Sequence, residues 1–240
     1  MTLRPSICTS FSRSIAISLL FFGAVMAVGA QGSRSRQEAQ ERLRQQQMDD
    51  SIPLYRGFQV KADLVGLIQR AVSDYGQLEA GVRVNLKDKY FPTVELGLGT
   101  ADHHDIVTQT GYKTSAPYLK MGVDFNIMKN KHDIYRVYAG ARYALTYFKF
   151  DLSHPDLIDP VWGGRSPFRF AGIKANCHWL ELLAGVDARI WGPVHLGWTA
   201  RYQRRLVHND GSLGNTWYVP GFGKQGGSRI SGTFELMLEF

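Results

Sequence analysis

From about residue 57 to its last residue, the chain alternates apolar and polar side chains with a period of two. That period belongs to β-strands, in which successive side chains point to opposite faces. Between Tyr118 and Met128, Leu119, Met121, Val123, Phe125 and Ile127 alternate with Lys120, Gly122, Asp124 and Asn126. From Leu180 to Ile190, Leu180, Leu182, Ala184, Val186, Ala188 and Ile190 alternate with Glu181, Leu183, Gly185, Asp187 and Arg189. The last segment sets Ile230, Gly232, Phe234, Leu236, Leu238 and Phe240 against Ser231, Thr233, Glu235, Met237 and Glu239. Similar runs occupy about 57–66, 75–86, 90–101, 134–150 and 194–207. The pattern predicts eight strands, each near the length that crosses a bilayer when tilted.

The connections alternate as well. Those after the second, fourth and sixth strands are brief: Lys87-Asp88-Lys89, Lys129 to Asp133, and Trp191-Gly192-Pro193. Those after the third, fifth and seventh are long, at roughly 102–114, 151–172 and 208–228, and the first, near 67–74, is intermediate. Membrane barrels with both chain ends in the periplasm have short turns on one side and long loops on the other.

A soluble barrel would alternate too, with its apolar face inward. Three features point to the opposite arrangement. Gly81, Gly97, Gly99, Gly122, Gly140, Gly185 and Gly197 share the charged face, where they make room for long side chains inside a narrow barrel. That face carries eight bases (Lys61, Arg83, Lys120, Arg136, Arg142, Arg189, Arg201 and Arg205) and eight acids (Asp63, Glu79, Glu95, Asp124, Glu181, Asp187, Glu235 and Glu239). Equal numbers suit neutralisation in a confined interior. The apolar alternation also runs to a terminal aromatic, Phe240, of the kind that serves as a barrel-insertion signal; on a soluble edge strand it would be an aggregation hazard. Aromatics near strand ends suit interfacial girdles, with Tyr90, Tyr135 and Trp191 on the short-turn side and Tyr118, Tyr147 and Tyr202 on the other.

The segment before the strands fits an exported protein. Arg4 and Arg13 precede an apolar run from Ile15 to Val28 that closes on Gly29-Ala30, the three-part pattern of a signal peptide covering residues 1–30. Residues 31–56, rich in Gln, Arg and Glu, have helical propensity but no apolar stripe, and read as a polar periplasmic tether ahead of a 57–240 barrel. The net charge of +7 is spread along the chain with no basic cluster interleaved with aromatics, so a nucleic-acid partner is not expected. Cys177 is the single cysteine after the leader and reads as a packing residue.

Sixteen inward charges in eight strands leave no wide channel, which excludes a general porin. Small barrels of this size act as structural or docking elements, as surface binders, or as lipid-modifying enzymes. A lipid A deacylase would need a serine, a histidine and an acid on the outer wall. His178 with Glu181, and Ser153 with His154, are the candidates, but positions three apart on a strand face opposite ways, so Glu181 points inward. His178 reads instead as a strand-end histidine beside a girdle tryptophan. His103 and His104, with Asp102 or Asp105, read as a polar loop tip rather than a metal site. Residues 155–167 and 217–224 mix Pro, Gly and aromatics and predict ordered loops. Their candidate interaction surface comprises Trp162, Arg165, Trp217, Tyr218, Phe222 and Lys224.

Four blocks carry a family resemblance. They are Val84-Asn85-Leu86-Lys87-Asp88-Lys89-Tyr90-Phe91-Pro92, Gly122-Val123-Asp124-Phe125-Asn126, His178-Trp179-Leu180-Glu181, and Trp217-Tyr218-Val219-Pro220-Gly221-Phe222-Gly223-Lys224. Across residues 55–240 the chain resembles an uncharacterised outer-membrane β-barrel family of Bacteroidota, a domain of unknown function (6048). The resemblance implies a Gram-negative source, a signal peptide and a barrel, and carries no catalytic residues or activity.

The expectation is therefore an all-β fold: an eight-stranded antiparallel up-and-down transmembrane β-barrel in the outer membrane, with short periplasmic turns and long extracellular loops. No catalytic residue, cofactor or metal is expected. The partners expected are outer-membrane lipid and lipopolysaccharide, the barrel-assembly machinery during insertion, and other outer-membrane proteins. The leading functional reading is a non-enzymatic structural or accessory subunit of an outer-membrane complex. A surface binder of a small molecule or glycan, and a lipid-modifying enzyme, are the alternatives.

Overall fold

Alternation at period two leaves the backbone no helical face to bury, and its N–H and C=O groups must pair between segments. The computed structural model describes residues 39–44, 46–47, 51–158, 161, 163–212, 214 and 216–240, and shows the result of that pairing. The chain divides into two units, Met1–Ile52 and Pro53–Phe240. In the first, the described residues 39–44 and 46–47 are helical and exposed; the leader lies outside the described residues.

In the second unit, eight long strands close into a ring: β1 (Tyr55–Asp63), β2 (Tyr75–Leu86), β3 (Tyr90–His104), β4 (Gly111–Asn126), β5 (Tyr135–Ile158), β6 (Arg165–Trp191), β7 (Val194–Asn209) and β10 (Ser228–Glu239). Every neighbouring pair is antiparallel and follows chain order, and β10 returns to β1 to close the barrel. Closure is completed at the last residue. Phe240 and Phe58 exchange backbone hydrogen bonds of 2.9 and 3.1 Å, and their rings stack at 5.4 Å. A short hairpin, β8 (Tyr218–Val219) with β9 (Gly223–Lys224), lies in the connection between β7 and β10.

The strand pattern matches expectation where the alternation is clearest and departs from it at the ends. Residues 64–66 do not continue the first strand; they open a helix, α1 (Leu64–Val72). Asp63 caps it, accepting from the Val65 and Gly66 N–H groups at 3.0 and 3.1 Å. Two of the long connections are shorter than predicted, because strand pairing continues beyond the bilayer. β3 runs on to His104 before β4 begins at Gly111, and β5 reaches Ile158 before β6 begins at Arg165. β5 and β6, with 24 and 27 residues against 9 to 16 for the other barrel strands, form a projecting hairpin. Among the described residues, no helix is long and apolar enough to cross a membrane.

The side chains are sorted inside out. Leu78, Val82, Val94, Leu96, Met121, Phe125, Leu182, Val186 and Trp198 are exposed on the wall, while Lys61, Arg83, Glu95, Lys120, Asp124, Arg142, Glu181 and Arg201 are buried. In water that sorting would expose a continuous apolar belt around a cluster of buried charges. In a bilayer the belt meets lipid and the charges are kept from it, and the chain is an outer-membrane β-barrel.

Candidate functional site

The lumen is the best-defined chemical environment in the molecule. Of the charged residues predicted to face it, six of the eight bases and seven of the eight acids are buried. Nearer the ends, Arg189 is exposed and Arg205 and Glu239 are half-buried. Apart from Asp63, which caps α1, the buried charges form one continuous network. Arg142 pairs with Glu95 and, at 2.9 Å, with Asp124. Lys61 bridges Glu95 and Glu235. Arg201 reaches Glu79 at 2.8 Å and Glu235 at 2.6 Å, and Lys120 holds Glu79 and Glu181 at 2.8 and 3.0 Å. Arg83 pairs with Asp187 at 3.0 Å, with its guanidinium over the rings of Phe91 and Tyr138 at 4.5 and 4.3 Å. Glu79, Glu95 and Glu235 bring carboxylate oxygens within 4.8 Å of one another, the spacing of a cation site. Lys61, Lys120, Arg142 and Arg201 already neutralise them, so the cluster needs no metal.

Glycines on this face act as space. A β-carbon at Gly81 would meet the Glu95 side chain at 2.8 Å, and one at Gly122 would meet Arg142 at 2.6 Å. The Gly97 and Gly185 positions lie under the rings of Tyr118 and Tyr138.

Two aromatics correct the sequence reading. Tyr118 is not a girdle residue; it is 2% exposed, and its hydroxyl donates to Glu79 at 2.8 Å. Trp179 is not at the interface either. It is wholly buried, and its indole N–H donates to Glu181 at 2.8 Å. Both share strand parity with an inward charge, Tyr118 with Lys120 and Trp179 with Glu181, and parity is the signal that finds them. Asp88 has no such signal, because turns have no parity. It is buried at the short-turn end and gathers Arg56, Asn85 (2.6 Å), His132 (2.8 Å) and Arg136 (3.7 Å). The other predicted girdle residues, Tyr90, Tyr135, Trp191, Tyr147 and Tyr202, are exposed on the wall.

The loop end of the barrel is closed by the β8–β9 hairpin, which folds down into the lumen. Tyr218, Val219 and Phe222 are buried in an apolar cluster with Tyr112, Tyr118, Phe148, Phe150, Cys177 and Trp179. The Tyr112 hydroxyl donates to the Tyr218 carbonyl at 2.7 Å, and the Tyr218 hydroxyl donates to the Gly76 carbonyl at 3.3 Å. Burial pushes the Tyr218 phenol well above its ordinary pKa. The turn is possible because Gly221 takes φ +81° and rests directly on the Tyr118 ring.

This placement divides the predicted interaction surface. Tyr218 and Phe222 are buried and fasten the plug, so they present nothing outward. Trp217 is half-buried, stacked on His103 at 4.1 Å and contacted by Lys224 at 5.3 Å. Arg165 is exposed on the projecting hairpin and paired with Asp156 at 2.9 Å. Trp162 lies outside the described residues.

The hydrolase set is not assembled. The Tyr143 and Tyr147 hydroxyls lie 2.8 and 3.4 Å from the ring nitrogens of His178, on the outer wall, while Glu181 is inside. His154 accepts from the Asp156 N–H and stacks on Phe168. The loop histidines and acids are likewise dispersed. His103 contacts Asp74 at 3.0 Å, Asp102 pairs with Lys113 at 2.7 Å, and Asp105 caps the turn behind it. The Thr108 and Val107 N–H groups hold the Asp105 carboxyl below its usual pKa.

Comparison with known proteins adds a family and several solved structures. A family model described as a domain of unknown function, DUF6048, matches residues 12–240. No curated protein sequence matches. Among solved structures, neisserial surface protein A is similar at 16% identity and TM-score 0.44, over 78% of this chain and 99% of that one. A major outer membrane protein from Thermus thermophilus gives 14% and 0.42, over 77% and 98%. The attachment invasion locus protein of Yersinia pestis, solved with the heparin analogue sucrose octasulfate, gives 8% and 0.35, over 76% and 93%.

Proposed function

The chain belongs to the DUF6048 family, and from that premise we propose that it is a non-enzymatic outer-membrane barrel acting as an accessory subunit that engages another outer-membrane protein through its β5–β6 hairpin. The hairpin carries the reading. Tyr135 and Tyr147 mark the two edges of the apolar wall on β5, twelve residues apart. That run is about 40 Å along the strand and about 30 Å across a bilayer at the usual tilt. β5 continues past Tyr147 to Ile158 and β6 returns from Arg165, so a paired ribbon stands clear of the membrane. It displays exposed Phe170 and the Arg165–Asp156 pair. A stiff ribbon suits docking, because little loop entropy is lost on contact. The lumen offers no competing role, since charge pairs fill its middle and the β8–β9 hairpin closes its outer end.

The glycan-binder alternative is weakened by Trp217, whose ring is already engaged by His103, Lys224, Tyr75 and Tyr112. The enzyme alternative is weakened by the separation of His178 from Glu181 across the barrel wall.

Affinity purification from native membranes tests the proposal. A stoichiometric membrane partner should accompany the intact protein and be lost on deletion of 155–167, while heat-modifiable gel mobility of the barrel is retained. Purification of the intact chain as a lone monomer overturns it.

A further inference from the structure

Two exposed charges at the top of the wall oppose each other. Lys149 on β5 and Lys174 on β6 are direct cross-strand partners, and both side chains are exposed. Like charges directly opposite in an antiparallel pair repel, with β-carbons about 5 Å apart. Among the described residues, no carboxylate is within ion-pairing distance of either amine; the nearby Lys113, by contrast, is paired with Asp102. The two lysines line one groove of about 510 Å3, together with Ser115, Tyr147, Asn176 and Asn209.

The groove's height on the wall identifies its occupant. Tyr147 is two residues nearer the membrane than Lys149 and is paired with Asn176. Below it, Tyr143 and Tyr147 flank His178, and Leu119, Leu145 and Met121 continue the apolar belt. The lysine pair therefore stands immediately outside the aromatic girdle, at the level of outer-leaflet headgroups. A girdle tyrosine and two amide side chains beside two unneutralised ammonium groups match a phosphorylated sugar whose acyl chains lie along the apolar wall below.

We propose that the Lys149–Lys174 groove binds the phosphate of an outer-leaflet glycolipid of the lipid A class. A phosphate of nearly two negative charges between the amines converts their repulsion into two charge-assisted hydrogen bonds. Lysine suits this role as a compact point charge at a membrane surface. The site lies at headgroup level, at the base of the β5–β6 hairpin, and does not depend on the hairpin's partner.

The test titrates purified, folded barrel in zwitterionic detergent with bisphosphorylated lipid A, with the same lipid stripped of phosphate, and with inorganic phosphate, reading bound lipid by native mass spectrometry. The intact protein should bind the phosphorylated lipid at least about tenfold more tightly than either control, a difference of about 1.4 kcal/mol. The double variant Lys149→Ala/Lys174→Ala should lose that preference while keeping heat-modifiable mobility, because it removes a repulsion and no packing. Lys113→Ala, outside the groove, should bind as the intact protein does. Equal binding by the double variant overturns the proposal, as does equal binding of the stripped lipid. Inorganic phosphate binding as tightly as the lipid would make the groove a soluble-anion site and overturn it equally.

Discussion

At the level of single residues, the interior is held by pairing and by the absence of side chains. Arg142 is fully buried between Glu95 and Asp124, so Arg142→Ala leaves two carboxylates short of a partner in a low dielectric. It should cost about 3–5 kcal/mol in urea-gradient unfolding in detergent. A change within about 1 kcal/mol would mean that the lumen is wetter than this packing implies. Gly221 makes the complementary point. A β-carbon there runs into the Tyr118 ring, and φ is +81°. Gly221→Val should release the plug without opening the barrel wall, seen as a red shift in tryptophan emission and faster proteolysis within 210–227, with gel mobility unchanged. Residue parity makes most of this interior legible in the sequence. Tyr118 and Trp179 look like girdle residues by aromatic identity near a strand end, but parity places them inside and parity prevails. Asp88, in a turn, and Tyr218 and Phe222, in a loop, have no periodicity from which to read burial.

Among the elements, the strands are readable wherever one face meets lipid, because the bilayer enforces strict alternation. Above the membrane that enforcement stops. There β5 and β6 keep pairing through a sequence that mixes Pro, Gly and aromatics, a composition that by itself reads as loop. The same boundary explains α1. The apolar residues after Asp63 continue the texture of a strand, but Asp63 turns back onto the Val65 and Gly66 N–H groups and starts a helix. Asp63→Ala should therefore cost about 1 kcal/mol, localised to α1. Hydrogen exchange at residues 64–72 should accelerate while β2 and β10 stay protected; protection loss throughout the barrel would show that Asp63 acts on the ionic network instead.

Taken whole, the barrel is turned inside out and filled. Its lower and middle lumen is neutralised by ion pairs, and its upper lumen is packed with aromatics beneath a folded loop. On the two proposals above, its interactions fall to the wall and the projecting hairpin. All of this requires that the apolar face of each strand meets lipid and that the charged face does not. Single-cysteine spin labelling along β6, in a Cys177→Ala background in liposomes, reads that sorting residue by residue. Labels at Leu180, Leu182, Ala184 and Val186 should be accessible to oxygen and shielded from a water-soluble relaxation agent, while those at Glu181, Leu183 and Asp187 should be shielded from both. The reverse alternation, with water reaching the Leu182 face, would contradict a lipid-facing wall.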